Sequence, residues 1–143
     1  MLKTELTQRA LEIATQAHAG QTDKAGQPYI DHPIHVAETM ETEDATVVAL
    51  LHDVVEDSNW TLDDLAKEGF TGEQVEAVAA LTHDPGVTYF EYIRSIKQDP
   101  LATAVKIADL RHNSDLSRIP NPTHKDMMRL QKYAQAMEML EAE

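Results

Sequence analysis

The sequence predicts an all-α fold, and three observations support that prediction. The N-terminal segment "MLKTELTQRALEIATQAH" is amphipathic at helical spacing, with charges along its whole length. Several Thr residues stand where helix caps are expected, followed three residues later by an acid or amide. No five-residue stretch alternates between apolar and polar residues as a strand does. With 143 residues, 42% of them hydrophobic, we expect one domain over residues 1–143.

The first half of the chain predicts three helices. The first runs from about Thr4 to Ala19 and stops at Gly20. The loop that follows, "GQTDKAGQPYIDHP", contains too much Gly and Pro for regular structure. Pro33 suits the first position of the second helix, because a proline there loses no helical hydrogen bond. The third helix is expected from about Asp44 to Glu56.

The second half predicts five more helices, each with a start signal. Thr61 caps a short helix that closes at Gly69, and Thr71 caps the next one. The remaining helices are expected to begin at about Thr88, Pro100 and Thr123.

Composition excludes several classes of function. The formal net charge of −13 repels nucleic acid and anionic lipid, so we expect neither as a partner. No apolar run approaches the roughly 18 residues of a membrane span. The chain has no Cys and no visible signal peptide, which favours a cytoplasmic location. A nucleotide is itself an anion, so binding one requires a metal ion and local Lys or Arg that make the electrostatic potential at the site positive.

The first polar motif follows an apolar run in "VVALLHDVVED" (47–57). On a continuous helix, His52 and Glu56 lie about 40° apart, with Asp53 and Asp57 next to them and the apolar residues opposite. One interpretation is a solvated helix face. The other is a metal site, because carboxylates at this spacing destabilise a helix that offers no Lys, and a divalent cation removes that conflict.

The second motif, "VKIADLRHN" (105–113), carries polar residues on one helical stripe. Lys106, Asp109 and Asn113 are spaced i, i+3, i+7. Taken alone, they could form an exposed polar stripe. Asp109 has apolar neighbours on both sides, which favours a buried acid, and a buried acid needs a charge partner.

The third motif is "DKAGQPYIDHPIHVA" (23–37), where His32 and His35 flank a proline at a helix start. Spacing alone allows either histidine to be a metal ligand, and each could also be an ordinary polar residue. Lys24, in a loop next to glycine, could likewise be solvated.

Taken in order, "HP…VA", "ALLHDVVED" and "VKIADLRHN" resemble the HD superfamily of metal-dependent phosphohydrolases. More specifically, they resemble the hydrolase domain of RelA/SpoT-type alarmone enzymes and the stand-alone small alarmone hydrolases. The resemblance covers most of the chain. It implies a single compact HD-type helical bundle that hydrolyses the 3′-pyrophosphate of (p)ppGpp-like alarmones, giving pyrophosphate and GDP or GTP.

The resemblance also implies a ligand set. It makes His32, His52, Asp53 and Asp109 the metal ligands, and it favours His32 over His35. Manganese is the usual ion of the family. Two imidazoles and two carboxylates suit such a divalent cation.

The remaining site residues follow from the same resemblance. Glu56 and Asp57 match the acidic pair beside the attacking water. Asn113 matches a position that contacts the nucleotide, and Lys24 and Lys106 are expected near phosphates. The expected partner is therefore a small-molecule nucleotide; the sequence gives no oligomeric state.

Three positions depart from the alarmone hydrolase pattern around the purine pocket. Asp23 stands where an Arg usually precedes the Lys, and Asp115 and Leu116 stand where an Arg and a Thr are common. Asp23 can only accept hydrogen bonds, which suits a donor such as adenine's amino group, or guanine's own amino group and ring N–H; otherwise it faces solvent in a mobile loop. We therefore expect a weaker or less selective guanine-alarmone hydrolase than the family norm, with adenine alarmones as alternative substrates. The alternatives are therefore an HD phosphohydrolase acting on (p)ppApp or a nucleoside monophosphate, and a non-catalytic nucleotide-binding module.

Overall fold

Residues 1–142, described by a computed structural model, confirm the all-α fold class. Their only extended pairing is an isolated antiparallel bridge between Thr22 and Pro28. A 3₁₀-helix that the sequence did not predict spans Leu116–Arg118. The α-helices are α1 (Glu5–Ala17), α2 (Asp31–Glu38), α3 (Glu43–Leu51), α4 (Val54–Asp57), α5 (Leu62–Lys67), α6 (Gly72–Leu81), α7 (Tyr89–Ile96), α8 (Pro100–Asn113) and α9 (His124–Glu141).

Helix α3 lies at the centre of the bundle. It packs against α1, α2, α6 and α8, and all of its residues from Ala45 to Leu51 are buried. A helix surrounded on every side has no solvated face. The sequence predicted an apolar arc opposite a polar face on this segment. The structure instead buries the apolar run all round and puts the polar residues beyond its C-terminal end.

The predicted third helix, Asp44 to Glu56, is interrupted rather than continuous. It ends at Leu51, His52 and Asp53 form a turn, and α4 begins at Val54. Neighbouring residues of a regular helix diverge by about 100°. The turn instead brings His52 Nε2 to within 3.1 Å of Asp53 Oδ2, so two adjacent side chains converge on one point.

The predicted helix starts are largely confirmed by the caps. Each predicted Thr cap accepts a hydrogen bond from the third residue of its helix, and Asp99 caps the helix that Pro100 opens. The Thr caps are Thr61, Thr71, Thr88 and Thr123. The second helix differs, because it begins at Asp31 and not at Pro33. Pro33 then occupies the first turn, where backbone N–H groups have no helical acceptor and proline is tolerated.

The outer helices complete the core and frame one side of the bundle. Helix α8 packs on α2, α3 and α6, and α9 packs on α7 and α8. Ala136 and Leu140 of α9 join the same buried cluster as Ala10 of α1. Among the described helices, none is both long and apolar enough to cross a membrane.

Candidate active site

Three helices bring together a buried group of potential metal ligands. His32 comes from α2, His52 follows α3, and Asp109 lies on α8. One ligand atom of each lies within 4.8 Å of the other two, and all three residues are buried. These three helices pack pairwise against one another, so the core fixes the positions of the ligands.

The carboxylate of Asp109 is the centre of this group. Its Oδ1 lies 2.7 Å from His32 Nε2 and 3.3 Å from His52 Nε2, and it accepts a hydrogen bond of 3.1 Å from Asn113. Its Oδ2 accepts a 2.9 Å bond from the Lys106 ammonium. Burial alone raises the pKa of Asp109, but Lys106 and the two histidines hold this pKa well below its usual range. The stripe containing Lys106 and Asn113 therefore lies inside the fold.

The carboxylate of Asp53 extends the group. It lies beside His52 and accepts a hydrogen bond from the Tyr29 hydroxyl, a residue that sequence reasoning missed. Burial and the neighbouring Asp53 raise the pKa of Tyr29, which keeps this hydroxyl a donor. Although burial raises the pKa of Asp53, the positive charge of the adjacent His52 lowers it overall.

The imidazole of His52 indicates that this group fits a cation. Its Nδ1 lies 2.5 Å from the carbonyl oxygen of Ala49 and donates to it, so Nε2 is the ring nitrogen that faces the carboxylates. Nε2 is buried, 3.1 Å from Asp53 and 3.3 Å from Asp109. Burial lowers the pKa of His52, yet the two carboxylates raise it well above its ordinary value. A ring nitrogen between two anions needs a positive charge, which a proton or a divalent ion supplies.

Glu56 and Asp57 lie on α4, immediately after these ligands. Glu56 accepts a hydrogen bond from the backbone N–H of His83, which orients one of its oxygens. Both residues reach solvent. Partial burial and the charge of Asp53 raise the pKa of both carboxyl groups. A raised pKa makes a carboxylate a better proton acceptor.

A row of stacked histidines supports His32 from outside the group. His112 Nδ1 lies 2.7 Å from His32 Nδ1, and the His35 ring stacks on His112 with centroids 3.9 Å apart. Burial and the neighbouring His32 lower the pKa of His112 to about 4, so this ring is neutral near pH 7. His35 thus contacts the site only through His112. Sequence reasoning left His112 unassigned, although it lies three residues after Asp109 on the same helix.

A cavity of about 320 Å³ lies beside the ligand group. Tyr29 and Asn113 line it, and both also hydrogen-bond the carboxylates of the group, so cavity and ligands are contiguous. Lys24, Arg118 and Arg129 line it as well. The cavity therefore concentrates basic side chains in a chain of net charge −13.

Asp23 also lines this cavity, but its hydrogen-bonding capacity is used within the protein. Its Oδ1 accepts bonds of 2.9 Å from the backbone N–H groups of Ala25 and Gln27. Its Oδ2 lies 3.6 Å from Arg118, and its side chain is only 20% exposed. Asp23 is therefore largely shielded from solvent, and only its Oδ2, beside Arg118, remains as an acceptor.

The chain matches the model of a known protein family. The family described as HD domain matches residues 10–113, which is most of the chain. The protein therefore belongs to the HD domain family.

Two curated relatives are much longer than this chain, and their names state an activity. A "Probable GTP pyrophosphokinase" of Mycobacterium leprae is 37% identical over 129 residues, covering 82% of this chain and 16% of the relative. A "Guanosine-3′,5′-bis(diphosphate) 3′-pyrophosphohydrolase" of Borreliella burgdorferi is 36% identical over 132 residues, covering 78% of this chain and 19% of the relative. This chain thus spans less than a fifth of the length of either relative.

A solved metazoan structure shares the whole fold. The protein in that structure is a metazoan ortholog of SpoT that hydrolyzes ppGpp and plays a role in starvation responses. The TM-score is 0.80 at 23% sequence identity, and the match covers 99% of this chain and 89% of that one. At this identity the comparison establishes the shared helical architecture.

We expect His52→Ala and Asp109→Ala to abolish divalent metal binding, because each removes a ligand atom from the centre of the group. His35→Ala should leave bound metal largely intact, because His35 makes no contact with that group. Metal analysis of the purified variants tests this. Full metal content in Asp109→Ala, or metal loss in His35→Ala alone, would contradict the assignment.

We expect His112→Phe to weaken metal binding about 10- to 100-fold, the scale of losing a partner that orients a ligand. Phe can still stack on His35 but cannot bond His32 Nδ1. Isothermal titration with Mn²⁺ measures the change, with His35→Ala as the matched control and circular dichroism as the check on folding. Unchanged affinity in His112→Phe would show that His32 needs no such partner.

Proposed function

We propose that this protein hydrolyses the 3′-pyrophosphate of (p)ppGpp-like alarmones in a manganese-dependent reaction, giving pyrophosphate and GDP or GTP. The observation that carries the proposal is the buried Nε2 of His52, which lies between two carboxylates and is followed along the chain by the acids of α4. Membership of the HD domain family and the activities named for the relatives support it.

The proposed metal ligands are His32, His52, Asp53 and Asp109. Their mixture of nitrogen and oxygen donors suits Mn²⁺ among the divalent ions. When bound, the ion supplies Lewis-acid chemistry, in that it lowers the pKa of a coordinated water and polarises a phosphoryl oxygen. Tyr29 and Asn113 hold the two carboxylates in place through their hydrogen bonds.

Glu56 and Asp57 are the proposed acid–base pair. Glu56 accepts the proton of the attacking water, because its pKa is raised and its orientation is fixed by His83. The water oxygen bonds to the phosphorus attached to the 3′ oxygen, and the bond from phosphorus to that oxygen breaks. The proton that Glu56 has taken then passes to the departing oxygen and completes the 3′-hydroxyl, while Asp57, one residue away, orients the water or shares the proton.

Basic residues make the cavity locally positive in a negatively charged protein, which suits an anionic nucleotide. Lys24 and Arg129 both approach the carboxylate of Asp126, at 3.8 and 3.4 Å, which leaves one net positive charge there for phosphate oxygens. Asn113 lies at the junction between this cavity and the ligands. Lys106 is the proposed neighbour of the reacting phosphates, although its ammonium already pairs with Asp109.

The proposed unit is one HD-type domain over residues 1–143, acting in the cytoplasm on a small-molecule nucleotide. Participation of α1 and α9 in the common core supports that extent. Other HD substrates, such as (p)ppApp or a nucleoside monophosphate, use the same metal chemistry. A non-catalytic binding module has no need of the Glu56 and Asp57 pair.

The direct test is to incubate the purified protein with Mn²⁺ and a nucleotide panel, and to identify the products by chromatography. We expect ppGpp to give GDP and pyrophosphate, and a chelator to stop the reaction. Release of orthophosphate from a nucleoside monophosphate, with ppGpp left intact, would favour the alternative phosphohydrolase instead.

We expect Glu56→Gln to retain metal and fold but to lose at least about 100-fold in kcat, the usual scale of general acid–base catalysis. Because an ionised Glu56 is required, wild-type activity should fall as the pH drops through its raised pKa. Glu73→Gln, which changes an exposed acid of α6, is the matched control. Near-normal turnover of Glu56→Gln with metal bound would assign the proton to another group, with Asp57→Asn as the next variant.

A further inference from the structure

One wall of the cavity consists of an ion pair with no part in the mechanism above. Arg118, the last residue of the 3₁₀-helix, lines the cavity and lies 3.6 Å from Asp23. Its Nη1 also donates a 2.8 Å hydrogen bond to the carbonyl oxygen of His112. The Asp23–Arg118 pair therefore joins the loop before α2 to the segment after α8, across the cavity.

The loop needs a side-chain hydrogen-bond acceptor at position 23. Asp23 Oδ1 accepts the backbone N–H groups of Ala25 and Gln27, and its own N–H donates to the carbonyl oxygen of Gln27. These bonds close the turn within the bridge from Thr22 to Pro28. An arginine could not accept them. The turn also fixes the second carboxylate oxygen, Oδ2, next to Arg118.

The 3₁₀-helix needs an acid at position 115. Asp115 Oδ1 accepts the backbone N–H of Ser117 at 3.0 Å and its hydroxyl at 2.6 Å. The backbone N–H of Arg118 donates to the carbonyl oxygen of Asp115 at 3.2 Å. Asp115 thus forms the turn that carries Arg118 into the cavity. Asp23 and Asp115, the two acids that depart from the family pattern, therefore both help to position the guanidinium group of Arg118.

Arg118 keeps hydrogen-bond donors for a ligand. A guanidinium has five N–H donors. Within residues 1–142, one of them bonds the His112 carbonyl, and the contact with Asp23 is longer than a hydrogen bond. At least three donors of this cavity-lining residue therefore have no hydrogen-bond partner among the described residues.

Charge balance differs between two groups of side chains that line the cavity. The Asp23–Arg118 pair is one cation with one anion and is close to neutral. Lys24 and Arg129 share the single carboxylate of Asp126, which leaves that part positive. Phosphate oxygens are drawn to the positive part, so the donors of the neutral pair suit an uncharged acceptor group.

We propose that Arg118, held by Asp23, is a specificity-determining residue that recognises the acceptor edge of a guanine base. This inference rests on the proposed function, since it requires a nucleotide base in this cavity. Guanine presents O6 and N7 as two adjacent acceptors that match a guanidinium fork. Adenine presents an amino donor in place of O6, which opposes an arginine donor and leaves it unpaired.

Equilibrium binding of GDP and ADP tests the inference without any hydrolysis. A bidentate pair between arginine and guanine discriminates by about 5- to 150-fold. We expect the wild type to prefer GDP by at least about tenfold. Arg118→Met should bring the two dissociation constants within about threefold of each other, mainly by weakening GDP. Arg118→Lys should lose the preference too, because an ammonium keeps the charge but lacks the fork.

Two further variants isolate the pair. Asp23→Asn keeps an oxygen that can accept the loop N–H groups but loses the charge beside Arg118, so the preference for GDP should fall while circular dichroism stays unchanged. Arg9→Met is the control, because Arg9 is exposed and its ion pair with Glu68 lies outside the cavity. It removes one positive charge and should keep the preference for GDP.

The outcomes separate this inference from the proposed function. Equal weakening of GDP and ADP in Arg118→Met would overturn it, because Arg118 would then bind phosphate. An unchanged ratio in that variant, no preference in the wild type, or no measurable binding of either nucleotide would overturn it too. A preference for GDP that Arg118→Met removes, together with failure to hydrolyse ppGpp, would support the inference and refute the proposed reaction.

Discussion

The structure depends on one constraint, namely that the buried carboxylate of Asp109 must be compensated by positive charge. An isolated ionised carboxylate in a protein interior costs far more free energy than a fold of this size can spare. Lys106 donates to one carboxylate oxygen of Asp109. His32 of α2 and His52, which follows α3, approach the other oxygen. Three helices are thus drawn to the same point, and a divalent ion bound there completes the compensation that a proton otherwise provides.

That constraint explains why the central helix ends where it does. A continuous helix would direct His52 and Asp53 about 100° apart. Ending the helix at Leu51 lets the His52 ring lie between Asp109 and Asp53, and α4 then restarts with Glu56 and Asp57 on the solvent side. The apolar run buries α3 from Ala45 to Leu51 and so fixes the position of the turn that follows it.

The sequence predicts what depends on neighbours along the chain. Thr caps, the opening role of Pro100 and the stripe of Lys106 and Asn113 around Asp109 follow from spacings of three or four residues, and the structure has them. Tyr29 and its partner Asp53 are 24 residues apart in sequence, and His112 and its partner His32 are 80 apart. No local sequence pattern predicts contacts over such separations. The prediction of a continuous third helix was wrong for the same reason, since the cause of its interruption lies on another helix.

The two acids that line the cavity have a common physical role, which is to hold its cations. In a chain of net charge −13, a basic cavity cannot rely on the overall field, and each cation needs a local anchor. Asp126 holds Lys24 and Arg129, and Asp23 holds Arg118. Two cations beside one acid leave a net positive charge, which in the proposed function attracts phosphate. One cation beside one acid leaves no net charge, so this pair can offer a ligand only its hydrogen bonds. In the proposed function, the number of cations around each carboxylate therefore separates attraction of the nucleotide from recognition of its base, within one cavity next to the candidate metal ligands.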